Sequence, residues 1–156
     1  MSGADDVARG PPARELRVCE QIVRDARREH LPALLAFVQA ACARAALTPE
    51  DAAAVRLAAE EACTNVIAHA YAGAEPGPVT LRFERDARHV VVTVEDRAAP
   101  FDPALVAAPD LAGGWEDREL GGLGWHLIRQ VMDEVRHEHD PAGGNRLTLV
   151  KVISDT

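Results

Sequence analysis

Residues 78–95, PVTLRFERDARHVVVTVE, decide the architecture. PVTLRFER (78–85) and HVVVTVE (89–95) are strand-like runs, and the three residues between them suit a hairpin connection. A strand pair that folds back on itself carries no helix between its strands, so the helical patterns must lie outside it. Upstream, residues 30–47 (HLPALLAFVQAACARAAL) place Leu34, Leu35, Val38, Ala41, Cys42 and Ala45 at helical spacing, with Pro32 in the first turn. Thr48-Pro49-Glu50-Asp51 starts a second helix: a hydroxyl N-cap, proline at the first helical position, then two acids at the positive dipole end. That helix is expected to reach about Ala70 and to stop near Gly73. Before both helices, ELRVCEQIVRD (15–25) predicts a first strand through Leu16, Val18, Ile22 and Val23.

Downstream of the hairpin, residues 96–120 are rich in Pro, Ala, Gly and Asp and show no period, and so long a loop in a compact domain is usually functional. Residues 121–132 read as a helix. Residues 135–139 and 146–153 read as a last pair of strands, joined by the turn-rich DPAGGN (140–145). Hairpins with helices grouped between them imply an α+β two-layer sandwich rather than a doubly wound parallel sheet. Residues 1–14 mix Gly, Pro and charge and are expected to form a flexible lead-in to one folded domain over 15–156.

The bulk chemistry excludes several classes. Twenty-five acidic against 17 basic side chains give a net charge of −8, the wrong sign for nonspecific nucleic-acid binding. Action through a protein partner stays open. Cys19, Cys42 and Cys63 form no CxxC pair and have no histidine at zinc-finger spacing, so reduced thiols are expected. The first six residues carry two acids and no apolar run, and no apolar stretch approaches 18 residues, so neither a signal peptide nor a membrane span is expected. A cytoplasmic protein fits. The GxGxxG and GxxxxGK[ST] nucleotide fingerprints are absent.

Three constellations carry chemistry. In RLAAEEACTNVIAHAY (56–71), Val55, Ala59, Ala62, Val66 and Ala70 make one apolar arc, and Glu61, Asn65 and His69 make a polar stripe along its border. A carboxylate and a carboxamide at i, i+4 can share a ligand, and oxygen donors of this kind suit Mg²⁺; a solvated helix border is the alternative. Asp96 follows the β run of VVVTVEDRAAPFDP (90–103), where it can accept from an exocyclic amine such as that of adenine or simply form a turn. In LGGLGWHLI (120–128), Gly121, Gly122 and Gly124 lead into a helix whose free N–H groups can hold phosphate; a flexible helix entry is the plain alternative.

Together, EEACTNVIAHAY, VEDRAAPFDP and GGLGWHLIRQVMDEV, followed by GGNRLTLVK, resemble the N, G1 and G2 boxes of the histidine-kinase-like ATPase superfamily. Within it they are most similar to the anti-sigma-factor serine/threonine kinases of partner-switching systems, over roughly residues 15–152. The resemblance implies a Bergerat-type sandwich: a mostly antiparallel mixed sheet, covered on one face by about three helices, with a lid over about 104–120. It implies Glu61 as general base and Asn65 as the Mg²⁺ ligand. Asp96 would hold the adenine amine, with Gly121, Gly122, Leu123 and Gly124 along the phosphates of ATP. It also implies a STAS-domain antagonist as phosphoacceptor, a sigma factor as second partner, and a homodimer near the first strand. One position departs from the pattern: Ala98 stands where the family generally has glycine, so a Cβ lies beside the adenine site. That departure favours an alternative function, a partner-gripping switch module without kinase activity, whereas Glu61 favours the kinase.

Overall fold

The computed structural model describes residues 18–102 and 122–153. The lead-in, residues 15–17 of the first expected strand, the expected lid and Gly121 lie outside the described residues. Five strands and three helices follow in the expected order: β1 (Val18–Asp25), α1 (Leu31–Arg44), α2 (Pro49–Asn65), β2 (Pro78–Arg85), β3 (His89–Asp96), α3 (Gly122–Val131), β4 (Glu134–His139) and β5 (Asn145–Val152). The sheet order is β1-β2-β3-β5-β4. The α+β two-layer sandwich is therefore the fold, but every strand pairing among the described residues is antiparallel, where a mixed sheet was expected. The hairpin arrangement explains this, because β2–β3 and β4–β5 each return directly.

Alternation sets which face is covered. Val79, Leu81 and Phe83 of β2 and Val90, Val92 and Val94 of β3 are fully or almost fully buried beneath Leu34 and Val38 of α1 and Val55, Ala58 and Ala59 of α2. Alanines on α2 let that helix lie close over the sheet centre, where it meets β3 and β5, while α3 packs on α2 and β4. The start of α2 forms as its chemistry dictates: the Asp51 amide donates to Thr48 Oγ1 at 3.1 Å. Asp86 closes the β2–β3 hairpin by accepting from the amides of Arg88 (2.8 Å) and His89 (2.7 Å) on one carboxylate oxygen.

One element departs from the expected regular helix. From Val66 to Ala70 the second helix continues as a π-helical turn, and Gly73 follows with φ +79°. The wider i→i+5 turn accommodates extra residues directly after Asn65. Among the described residues, no helix is long and apolar enough to cross a membrane.

Candidate functional site

The π turn falls directly after Asn65, and Asn65 is not the solvated border residue that its stripe allowed. It is 2% exposed, and neither its Nδ2 nor its Oδ1 has a hydrogen-bond partner. A buried carboxamide with both ends unsatisfied costs about 1–3 kcal/mol for each orphaned group, a penalty that a polar ligand at this point would offset. Asn65 opens into a recess of about 20 Å³ floored by Val94 and Leu147 of the sheet, with Asp96 and His137 also on its wall. Phe101 covers it, with its ring stacked on His69 at a centroid separation of 6.3 Å.

Asp96 is the last residue of β3 and is 8% exposed. Its Oδ1 accepts from the Ala98 amide at 2.9 Å and from Asn145 Nδ2 at 2.8 Å. Both bonds that hold the turn fall on one oxygen, so Oδ2 is the one not spent on it. Asn145, opposite Asp96 in register, also donates to the Ala99 carbonyl at 3.0 Å. Its Oδ1 accepts from the Phe101 amide (2.9 Å) and from His139 Nδ1 (2.7 Å), which puts the His139 proton on Nδ1. From below, the Tyr71 hydroxyl donates to the Pro78 carbonyl at 2.6 Å and accepts from the Arg97 amide at 2.8 Å. The segment after β3 is thus fastened from two sides. Gly144 completes the fit: its φ is +111°, and a Cβ there would run into the Asp96 carbonyl.

Ala98 occupies this turn without backbone strain. Ala46 is the only non-glycine with positive φ among the described residues, and the Ala98 methyl is buried in the core.

One turn before Asn65, Glu61 lies against Gly124 in the first turn of α3, so closely that a Cβ at Gly124 would collide with the Glu61 carboxylate. Burial lifts the Glu61 carboxyl above its ordinary 4.5, and the neighbouring charge of Glu60 adds to the rise. Gly122 and Leu123 open the same helix, whereas Gly121 lies outside the described residues. The structure therefore brings Glu61, Asn65, Asp96, Ala98 and the start of α3 to one end of the sandwich.

The family profile described as the histidine kinase-like ATPase domain matches residues 25–151. The chain belongs to this family. Serine/threonine-protein kinase BtrW of Bordetella bronchiseptica is 32% identical over 93 residues, 60% of this chain and 65% of the relative, so the match spans just under two thirds of that protein. Anti-sigma F factor of Clostridium novyi is 31% identical over 106 residues, 68% of this chain and 74% of the relative. Serine-protein kinase RsbW of Listeria monocytogenes is 29% identical over 116 residues, 72% and 73% of the two chains. Among solved structures, the RsbU and RsbW domains of a Mycobacterium tuberculosis protein superpose with a TM-score of 0.64 at 21% identity, over 89% of this chain and 33% of that one. That likeness shows the shared fold.

Tyr71, Phe101, His137 and Asn145 line or fasten the site without having been singled out from the sequence. A signal existed for Asn145, a polar residue between a Gly-Gly turn and the apolar strand LTLV. For His137 it existed only in register, which sequence alone does not supply.

Proposed function

We propose that this chain binds Mg-ATP and transfers the γ-phosphoryl group to a serine or threonine of a STAS-domain antagonist, as an anti-sigma factor of a partner-switching system. The observation that carries this reading is the Asn65 carboxamide, buried and unpartnered on both atoms in a recess shared with Asp96. Membership of an ATPase family, and relatives named as serine kinases and an anti-sigma factor, support it.

The residues fit the groups the reading needs. Asn65 Oδ1 would hold Mg²⁺, which when bound offsets the charge on the phosphates. Asp96 accepts from the adenine amine through Oδ2, in a turn held rigid by Asn145 and Ala98. The glycines at 121, 122 and 124, with Leu123, let the phosphates approach the start of α3, where unpaired N–H groups favour anions. Glu61 accepts the proton of the attacking hydroxyl, and its raised pKa makes it a stronger base than an exposed carboxylate. A recess of about 20 Å³ holds roughly one water, so adenine binding requires the recess to widen.

Ala98, standing where the family generally has glycine, is what favours the second reading, a partner-gripping module without phosphotransfer. Incubation with Mg-ATP and candidate STAS-domain proteins, followed by mass analysis of the acceptor, separates the two. The kinase reading expects one phosphoserine or phosphothreonine with the wild-type chain. It expects none with Glu61→Gln, which should still bind ATP. Saturable ATP binding with no transfer to any STAS acceptor supports the module instead.

A further inference from the structure

Beyond Asn65 and Asp96, a third polar group lines the recess. His137 sits on β4, and its Nε2 is enclosed without a hydrogen-bond partner. Register explains why it faces the site. Val94, Leu147 and His137 are directly paired across β3, β5 and β4, and Asp96, Asn145 and His139 form the parallel row two residues along. Paired residues point to the same face, so both rows look towards α2. Val94 and Leu147 form the apolar floor, Asp96 stands at one end of it, and His137 stands two strands away. Two strand spacings set the two backbones roughly 10 Å apart, and both side chains line the one recess, so they can reach neighbouring atoms on a single edge of a base.

The chemistry of the two ends is complementary. Asp96 offers an acceptor. Burial and the edge-on His139 ring, 4.8 Å away, keep the His137 imidazole below its ordinary 6.5, so near neutral pH it is uncharged and carries one N–H. A buried imidazole nitrogen without a partner is destabilising, and a ligand atom at that point would offset the loss.

We propose that His137 is a base-specificity residue, donating from Nε2–H to the N1 ring nitrogen of adenine while Asp96 accepts from the adjacent exocyclic amine. This rests on the ATP-binding reading above. Adenine presents an N–H donor next to the N1 acceptor. Guanine reverses both, with a carbonyl in place of the amine and an N–H at N1, so it would set two acceptors and two donors against each other at this wall. A site whose buried polar groups are left unpaired by the wrong ligand rejects it strongly.

The test titrates ATP, 1-deaza-ATP and GTP, each with Mg²⁺, into the wild-type chain, His137→Leu and His137→Gln, with thermal melts to verify folding. Replacing N1 by C–H should weaken wild-type binding by about three- to tenfold, the effect of one hydrogen bond. His137→Leu should weaken ATP binding by a similar factor, show no further loss with 1-deaza-ATP, and narrow the preference for ATP over GTP. His137→Gln, which keeps a donor, should fall between the two. Equal wild-type affinity for ATP and 1-deaza-ATP overturns the assignment, and does so even if the leucine variant fails to fold. An undiminished 1-deaza penalty in folded His137→Leu overturns it as well. If the wild-type chain binds no nucleotide, the ATP reading itself falls. If it binds ATP but ignores N1, only the role of His137 does.

Discussion

Asn145 has both amide hydrogens and its carbonyl oxygen engaged in one place: it donates to Asp96 and Ala99 and accepts from Phe101 and His139. A residue 5% exposed with four such bonds holds the segment after β3 in a single conformation. Asn145→Ala should therefore lower stability by about 2–4 kcal/mol in urea unfolding, since it orphans buried partners. It should also weaken ATP binding, because Asp96 loses its anchor. Glu61 gives a pH prediction whose sign is fixed by the direction of its shift. The raised pKa means that the folded chain holds this proton more tightly than the unfolded chain does, so the group favours folding as pH falls through the raised value. Base function runs the other way: it is lost below that pKa and gained above it. The acid limb of the phosphotransfer profile should lie above 4.5, and Glu60→Gln should move it downward by removing the second cause of the rise.

At the scale of elements, the helix ends show how closely local sequence can match local structure. Thr48 caps α2 as its type demands. The end of α1 is less well matched. The Leu47 amide donates to the Cys42 carbonyl (3.2 Å) and the Ala46 amide to the Ala43 carbonyl (3.0 Å), a Schellman arrangement that places Ala46 at φ +54°. Alanine is strained there, so Ala46→Gly should raise stability by roughly 1 kcal/mol in a denaturant midpoint measurement, although glycine at most positions costs stability. The strands, both hairpins and the first two helices were legible because each carries its own period and punctuation. The π turn was not, because it satisfies the same apolar arc as an α-helix until side-chain packing distinguishes them. Likewise, the i, i+4 spacing of Glu61 and Asn65 was visible in sequence, but the burial that turns Asn65 from border residue into orphaned amide was not. That burial depends on β3 and β5 arriving beneath α2.

At the scale of the whole molecule, β1 forms an edge of the sheet among the described residues. It pairs with β2 on one side, and Val23 stands 46% exposed near its end. An unpaired strand edge with exposed valine invites a second copy, so the chain should dimerise in light scattering, and Val23→Lys should shift it towards monomer. A mass unchanged between the two proteins would contradict pairing through this edge. The central claim is that the end of the sandwich formed by Glu61, Asn65, Asp96 and α3 is a nucleotide site. Calorimetric titration of Mg-ATP into the wild-type chain and into Asn65→Ala tests it most directly. Saturable one-to-one binding that is weakened at least tenfold, and stripped of its Mg²⁺ dependence, by Asn65→Ala is the predicted result; no heat of binding at millimolar ATP, or equal binding by both proteins, would contradict it.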